Sequence, residues 1–247
     1  MKAFRVLFKN ELRMSLRGMD MLLFAIIMPI VVLIILGLVF GNKPAFDGAD
    51  YSFLEQSFGA LCSISICAGG VMGLPLVISD YRSKLILKRY QVTPIKPVLV
   101  LMVEVMMYIV YSLISLISLF LVATLFFGFK LRGSILLFII GYVLVMISIF
   151  SIGIMVGGIA KDSKIAGVIA SILYFPMLVF SGATLPYEIM PEAMQKVVNI
   201  MPLTQGIKIL KNATLGLPVN NIAGPVIFML VVAAVCSFVA IRFFKWE

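Results

Sequence analysis

Residues 80–96, DYRSKLILKRYQVTPIK, form the only long charged stretch in a chain that is otherwise a succession of apolar runs. An apolar run long enough to cross a bilayer lies on each side, so this is a short loop held at a membrane surface. It carries Arg82, Lys84, Lys88, Arg89 and Lys96, and the bias of Lys and Arg toward the inner side places it in the cytoplasm. Leu85, Ile86 and Leu87 set an apolar strip among the charges, and Thr93-Pro94 closes the stretch. A short basic helix with an apolar strip is expected here, suited to contact with another protein.

Working outward, six segments have the roughly 20 apolar residues that a membrane helix needs: 21–40, 53–79, 99–128, 134–160, 165–183 and 222–243. The orientation is read from the cations. Lys2, Arg5, Lys9, Arg13 and Arg17 precede the first span, Lys161 and Lys164 fill the second inner loop, and Arg242 and Lys245 flank the last span. With the five in 80–96, these account for 14 of the 20 Lys and Arg, so both termini are expected in the cytoplasm. The first span is longer than a signal-peptide core and no small-residue cleavage site follows it, so it is expected to remain in the mature protein.

Two segments outside the spans have helical patterning. In 1–18, Phe4, Leu7, Phe8, Leu12 and Leu16 recur at helical spacing while Arg5, Lys9, Arg13 and Arg17 fall four apart. This is the pattern of an amphipathic helix lying in the interface. In 184–221, four prolines interrupt any full span, yet Met194, Val197, Val198 and Met201 make one stripe and Leu203, Ile207 and Leu210 another. Two short extracellular helices, re-entrant or capping the outer face, are expected there. Broken helices at membrane depth need a covering of protein or a water-filled cavity.

Composition narrows the function. The chain has 247 residues, 62% hydrophobic and 13% charged, about half the charge of a soluble domain. The net charge of +9 follows from topology and from contact with anionic lipid, not from nucleic-acid binding. Histidine is absent, which removes the commonest general base and metal ligand. Cys62, Cys67 and Cys236 lie in apolar runs without metal-ligand spacing. No GxxxxGK[ST] loop occurs, so ATP cannot be held on this chain by that element.

Glu104 is an acid within the third span, a few residues from its inner end. Intramembrane carboxylates are functional candidates by default, although from this depth Glu104 can also reach the interface or pair with Lys96 or Arg89. Gly69 and Gly73 in span two, and Gly153 and Gly157 in span four, repeat a four-residue spacing that lets helix backbones approach. Pro29 and Pro75 are expected kink points.

Three stretches together resemble the permease subunits of type-2 ABC exporters, the drug and antibiotic exporter branch. In the basic segment Arg82, Leu87, Lys88, Arg89, Val92, Thr93 and Pro94 match the family pattern. In FPMLVFSGATLPYEIMP, Pro176, Ser181, Gly182, Pro186 and Pro191 match the family's end of span five. Met201-Pro202-Leu203-Thr204, with Lys208 and Lys211 following, is similar to its Pro-Leu-Thr segment. The sequence departs from the pattern at Leu85-Ile86, where the family prefers Gly-Thr, and at Tyr81 and Ser83, where it prefers acids.

The resemblance implies an all-α membrane protein of six helices that pairs with a second permease copy and two copies of a separate ATPase, which carries the ATP and Mg. Arg82, Leu87, Lys88, Arg89, Thr93 and Pro94 would form the coupling helix seated on that ATPase. Ser181, Gly182, Pro186, Pro191 and Pro202 would belong to an outer gate. A bacterial inner-membrane location and outward movement of a hydrophobic or amphipathic substrate (drug, peptide antibiotic or lipid) are expected. The competing reading is a stand-alone secondary transporter with Glu104 as its coupling acid, which predicts paired acids near the midplane.

Overall fold

The computed structural model describes residues 2–15, 23–41, 43–45, 49–86, 88, 97–181, 191–218 and 222–243. Six helices are long and apolar enough to cross a membrane: α2 Leu23–Phe40, α3 Phe53–Ser83, α4 Pro97–Phe127, α5 Ile135–Ile159, α6 Ser163–Phe180 and α9 Ala223–Phe243. Amphipathic α1 Lys2–Ser15 precedes them, and the short α7 Glu192–Val198 and α8 Pro202–Leu215 lie between α6 and α9. The six expected spans are therefore present, and no strand occurs among the described residues. At about 1.5 Å per residue, α4 runs about 46 Å and exceeds the hydrocarbon thickness, so it tilts or projects.

Local chemistry sets the boundaries. Ser52 caps α3 by accepting from the Glu55 N–H at 3.2 Å while the Glu55 carboxylate accepts from the Ser52 N–H at 2.8 Å, a reciprocal capping box. Asp162 accepts from the Ile165 N–H at 2.8 Å and starts α6. Gly216, with φ of 69°, ends α8 in the left-handed conformation that glycine adopts without strain.

Both α2 and α3 contain a π-helical turn, Leu23–Ile27 and Ala68–Gly73, and a proline follows each. Pro29 has no N–H to give the Ala25 carbonyl four residues back. That carbonyl instead accepts from the Ser65 hydroxyl of α3 at 2.6 Å. In α3, the Leu74 N–H reaches back five residues to the Gly69 carbonyl, ahead of Pro75. The two expected kinks thus take the form of widened turns, and the two turns pack together.

Helix α3 is the axis of the fold. Its first half packs on α2, α4 and α8, and its second half on α5 and α6. Crossing is closest where α3 meets α5: a Cβ on Gly153 would lie 1.9 Å from the Gly70 carbonyl oxygen, and one on Gly157 would lie 2.9 Å from Ile78 Cβ. Helix α9 lies along α5, joined by the Ser148 hydroxyl, which donates to the Met229 carbonyl at 2.8 Å. At the end where α3 begins, Phe58 stacks on Phe129 with ring centroids 4.4 Å apart.

Helix α8 is more deeply set than a surface cap. Leu203, Ile207 and Leu210 of its expected stripe are buried, and so are Thr204, Gln205 and Thr214. The Arg132 and Gly133 N–H groups both donate to the Thr214 carbonyl, at 3.1 and 3.0 Å, and clamp its last turn. The first stripe holds only in part, because α7 is two turns long: Val198 is buried and Val197 is exposed.

The expected helix over 80–96 is divided. Residues 80–83 continue α3 without a break, and Lys84 and Leu85 form a turn in which Leu85 has φ of 56°. Ile86 and Lys88 are helical, whereas Leu87 and residues 89–96 lie outside the described residues.

Candidate functional site at the basic end of the bundle

One end of the bundle gathers α1, the last turn of α3, the first turns of α4 and the end of α5. The resemblance makes Arg82 part of a coupling helix; in this structure Arg82 is 3% exposed and its Nη1 donates to the Gly158 carbonyl at 2.7 Å. The Arg82 side chain lies inward because the helix continues through residue 83 and turns that position toward α5. The guanidinium therefore ties the end of α3 to the end of α5. Lys84 and Lys88 are exposed, Lys84 pairing with Asp80 at 2.8 Å. Leu87, Arg89, Thr93 and Pro94 lie outside the described residues.

Helix α1 is tied to the same region. Arg5, Lys9 and Arg13 are exposed, while Phe8 and Leu12 pack against the core. Glu11 and Ser15 sit on the packed side with them. The Tyr81 hydroxyl of α3 donates to the Glu11 carboxylate, and the Tyr111 hydroxyl of α4 donates to Ser15 Oγ. Two hydrogen bonds thus cross-link α1 to α3 and α4.

Between these helices lies a half-open cavity of about 210 Å³. Glu11, Met14 and Ser15 of α1, Val77 and Tyr81 of α3, and Glu104, Met107, Tyr108 and Tyr111 of α4 line it. Glu104 is 4% exposed and faces Glu11 and Tyr81 at hydrogen-bonding range. The pairing expected from sequence, with Lys96 or Arg89, falls on residues outside those described; the partners found are an acid and a phenol. Glu104 Oε1 is buried without a hydrogen-bond partner among the described residues.

The spacing of Gly69 and Gly73 has a specific use. A Cβ on Gly73 would lie 2.4 Å from the Tyr108 ring, and one on Gly69 would lie 3.3 Å from it. These glycines form the slot that holds the ring against α3, while Gly153 and Gly157 serve the α3–α5 crossing. All four work within one subunit.

At the opposite end, Ser181 is buried and its hydroxyl donates to the Leu178 carbonyl at 3.4 Å. Pro191 is the residue before α7, and Pro202 opens α8 at the position where a missing N–H costs nothing. Gly182 and Pro186 lie outside the described residues. Nearby, Glu55 accepts from Arg132 Nε at 3.1 Å and anchors the α4–α5 turn on α3.

Sequence reasoning missed Glu11, Tyr81, Tyr108 and Tyr111. For Glu11 a signal existed: positions 4, 7, 8, 11 and 15 make one face of a helix, so this acid falls on the apolar side of α1. Gly70 lies between Gly69 and Gly73, and its carbonyl is the atom that Gly153 approaches.

The family described as ABC-2 type transporter matches residues 2–215. Among curated proteins, the chain is 35% identical over 77 residues to an inner membrane transport permease, YhhJ, of Escherichia coli K12, covering 31% of this chain and 21% of that protein. It is 29% identical over 94 residues to Nodulation protein J of Neorhizobium galegae, covering 38% of this chain and 34% of that protein. The matched segments thus span only a fifth to a third of those relatives.

Proposed function

Because this chain belongs to the ABC-2 type transporter family, and is a multi-pass transmembrane transport subunit, we propose that it is the permease of an ATP-driven exporter. On this reading a separate ATPase, present in two copies with its ATP and Mg, drives two permease copies in a bacterial inner membrane. The cargo is a hydrophobic or amphipathic molecule. The observation that carries the reading is the family match from α1 through α8. The basic segment after α3 supplies the surface for the drive.

The mechanism follows from the cross-links. A push on residues 84–96 meets α3 at its last turn, where Arg82 holds the Gly158 carbonyl and Tyr81 holds Glu11. The ends of α1, α3 and α5 then move as one body, with α4 joined through Tyr111 and Ser15. Rigid motion of these ends meets the widened turn at Ala68–Gly73, a helix irregularity that concentrates at functional sites. Bending there changes how α3 meets α2 and α8, and so opens or closes the far end. Leu87 is the apolar anchor and Arg89 the charged one on the ATPase, a pairing that sets recognition and association rate.

The test is co-purification of the tagged chain with the products of its neighbouring genes. A stoichiometric ATPase that is lost with Arg89→Glu or Leu87→Asp supports the reading. A chain that purifies alone and transports in liposomes on an ion gradient without ATP refutes it. Glu11 and Glu104 do form an acid pair, but about 10 Å along α4 from its first residue and beside α1. A coupling acid is expected near the midplane.

A further inference from the structure

We infer that the outward side of α1 is a binding surface for anionic phospholipid, seated at the headgroup level of the near leaflet. Its exposed residues fall in two adjacent strips: Arg5, Lys9 and Arg13 in one, Val6, Asn10 and Met14 in the other. The only acid of α1, Glu11, is on the opposite side with Phe8 and Leu12.

The helix itself gains nothing from this arrangement. Cations four residues apart stand one above another, about 6 Å along the axis, and repel. The first turn carries Lys2 and Arg5 and no acid, against the sense of the helix dipole. A row of positive charge that weakens its own helix is balanced by an extended negative surface.

The level of α1 selects the bilayer as that surface. Tyr111, whose hydroxyl donates to Ser15, lies about 24 Å along α4 from the far end of that helix at Phe127. Glu104, which faces Glu11, lies about 35 Å along it. The hydrocarbon is about 30 Å thick and the headgroup layer adds about 5–7 Å on each side. The second half of α1 is thus held where lipid phosphates lie, and the exposed Val6 and Met14 beside the cations suit the apolar boundary beneath them. A soluble acidic partner would have to reach into this layer. Each Lys or Arg at an anionic membrane surface is worth about a fivefold gain in binding. The inference rests on the membrane placement of the chain alone and holds whether or not an ATPase drives it.

The experiment is native mass spectrometry of the full chain in detergent, titrated with phosphatidylglycerol or with phosphatidylcholine of equal chain length. Wild type should prefer phosphatidylglycerol by at least about tenfold. Arg5→Gln, Lys9→Gln and Arg13→Gln combined should lower that preference at least about fivefold. Gln has a helix propensity close to that of Lys and Arg, so α1 stays formed. Lys43→Gln, Lys130→Gln and Lys196→Gln combined remove the same charge from exposed positions at the opposite end of the bundle, and should change the preference less than about twofold. Lys9→Gln alone should lower it about two- to fivefold, which decides the matter if the triple α1 variant fails to fold. A wild type without preference overturns the proposal. Equal losses in the two triple variants show attraction by net charge alone and also overturn it. An unchanged preference in the α1 variants overturns it as well, and leaves an acidic protein surface as the partner of the strip.

Discussion

Adding one methyl group at Gly153 is a stringent test of the packing described above. The Cβ of Gly153→Ala would lie 1.9 Å from the Gly70 carbonyl oxygen and 3.2 Å from Leu74 Cβ. Because the obstructing atom is backbone, no rotamer change relieves the clash. Restoring ordinary contact near 3.4 Å requires α3 and α5 to separate by about 1.5 Å at this point. A gap of 0.5–1 Å already forfeits a quarter to a half of the dispersion energy of the atoms involved. Overpacking a core costs about 1–3 kcal/mol, and the upper end, about 3 kcal/mol, applies at a backbone crossing. For a chain of this size that lowers Tm by about 6–12 °C. The assay uses the protein's own thiols. Cys62, Cys67 and Cys236 are buried, so a thiol-reactive fluorophore reports unfolding in detergent. Gly167→Ala in α6 is the matched control, since nothing lies within 4 Å of its Cβ. There the gain in helix propensity, up to about 1 kcal/mol, raises Tm by about 2–4 °C. A Gly153→Ala protein melting within 2 °C of wild type, or a Gly167→Ala protein falling as far, would refute the close-crossing argument.

Two further outcomes are expected from the same melts. Ser65→Ala removes the donor to the Ala25 carbonyl and should cost about 1–2 kcal/mol; in a Pro29→Ala background, where residue 29 regains its N–H, the same change should cost under about 0.5 kcal/mol. Additive effects in that double-mutant cycle would show that Pro29 does not create the need for Ser65. Leu85→Gly should stabilise by about 0.5–1 kcal/mol, because Leu85 occupies the left-handed region at a half-exposed turn; an unchanged or lower Tm would contradict this.

The spans were legible because Leu, Ile, Val and Phe fill them and charges leave them, and Arg5, Lys9 and Arg13 gave the exposed face of α1. The proline kinks at 29 and 75 were legible as positions, but not as π turns, since which carbonyl loses its partner depends on a neighbour such as Ser65. Leu85 illustrates the converse. The family's preference for glycine there was readable as a departure, and only the backbone angle supplies its reason. The inward course of Arg82 was not legible, because it depends on α3 continuing four residues past the apolar run. Glu104 was singled out, but its partner was not, because Glu11 is 93 residues earlier and only the docking of α1 on α4 brings them together.

The widened turn in α3 also changes how that helix should be drawn. One extra residue in a turn advances everything after it by about 100° around the axis. The residues before Ala68 and those after Gly73 therefore belong on two separate helical wheels, rotated against each other. This offset lets a single rod present one face to α8 in its first half and a different face to α5 in its second. Deleting one residue between 68 and 73 would restore a uniform α-helix and leave one of the two halves facing the wrong neighbours.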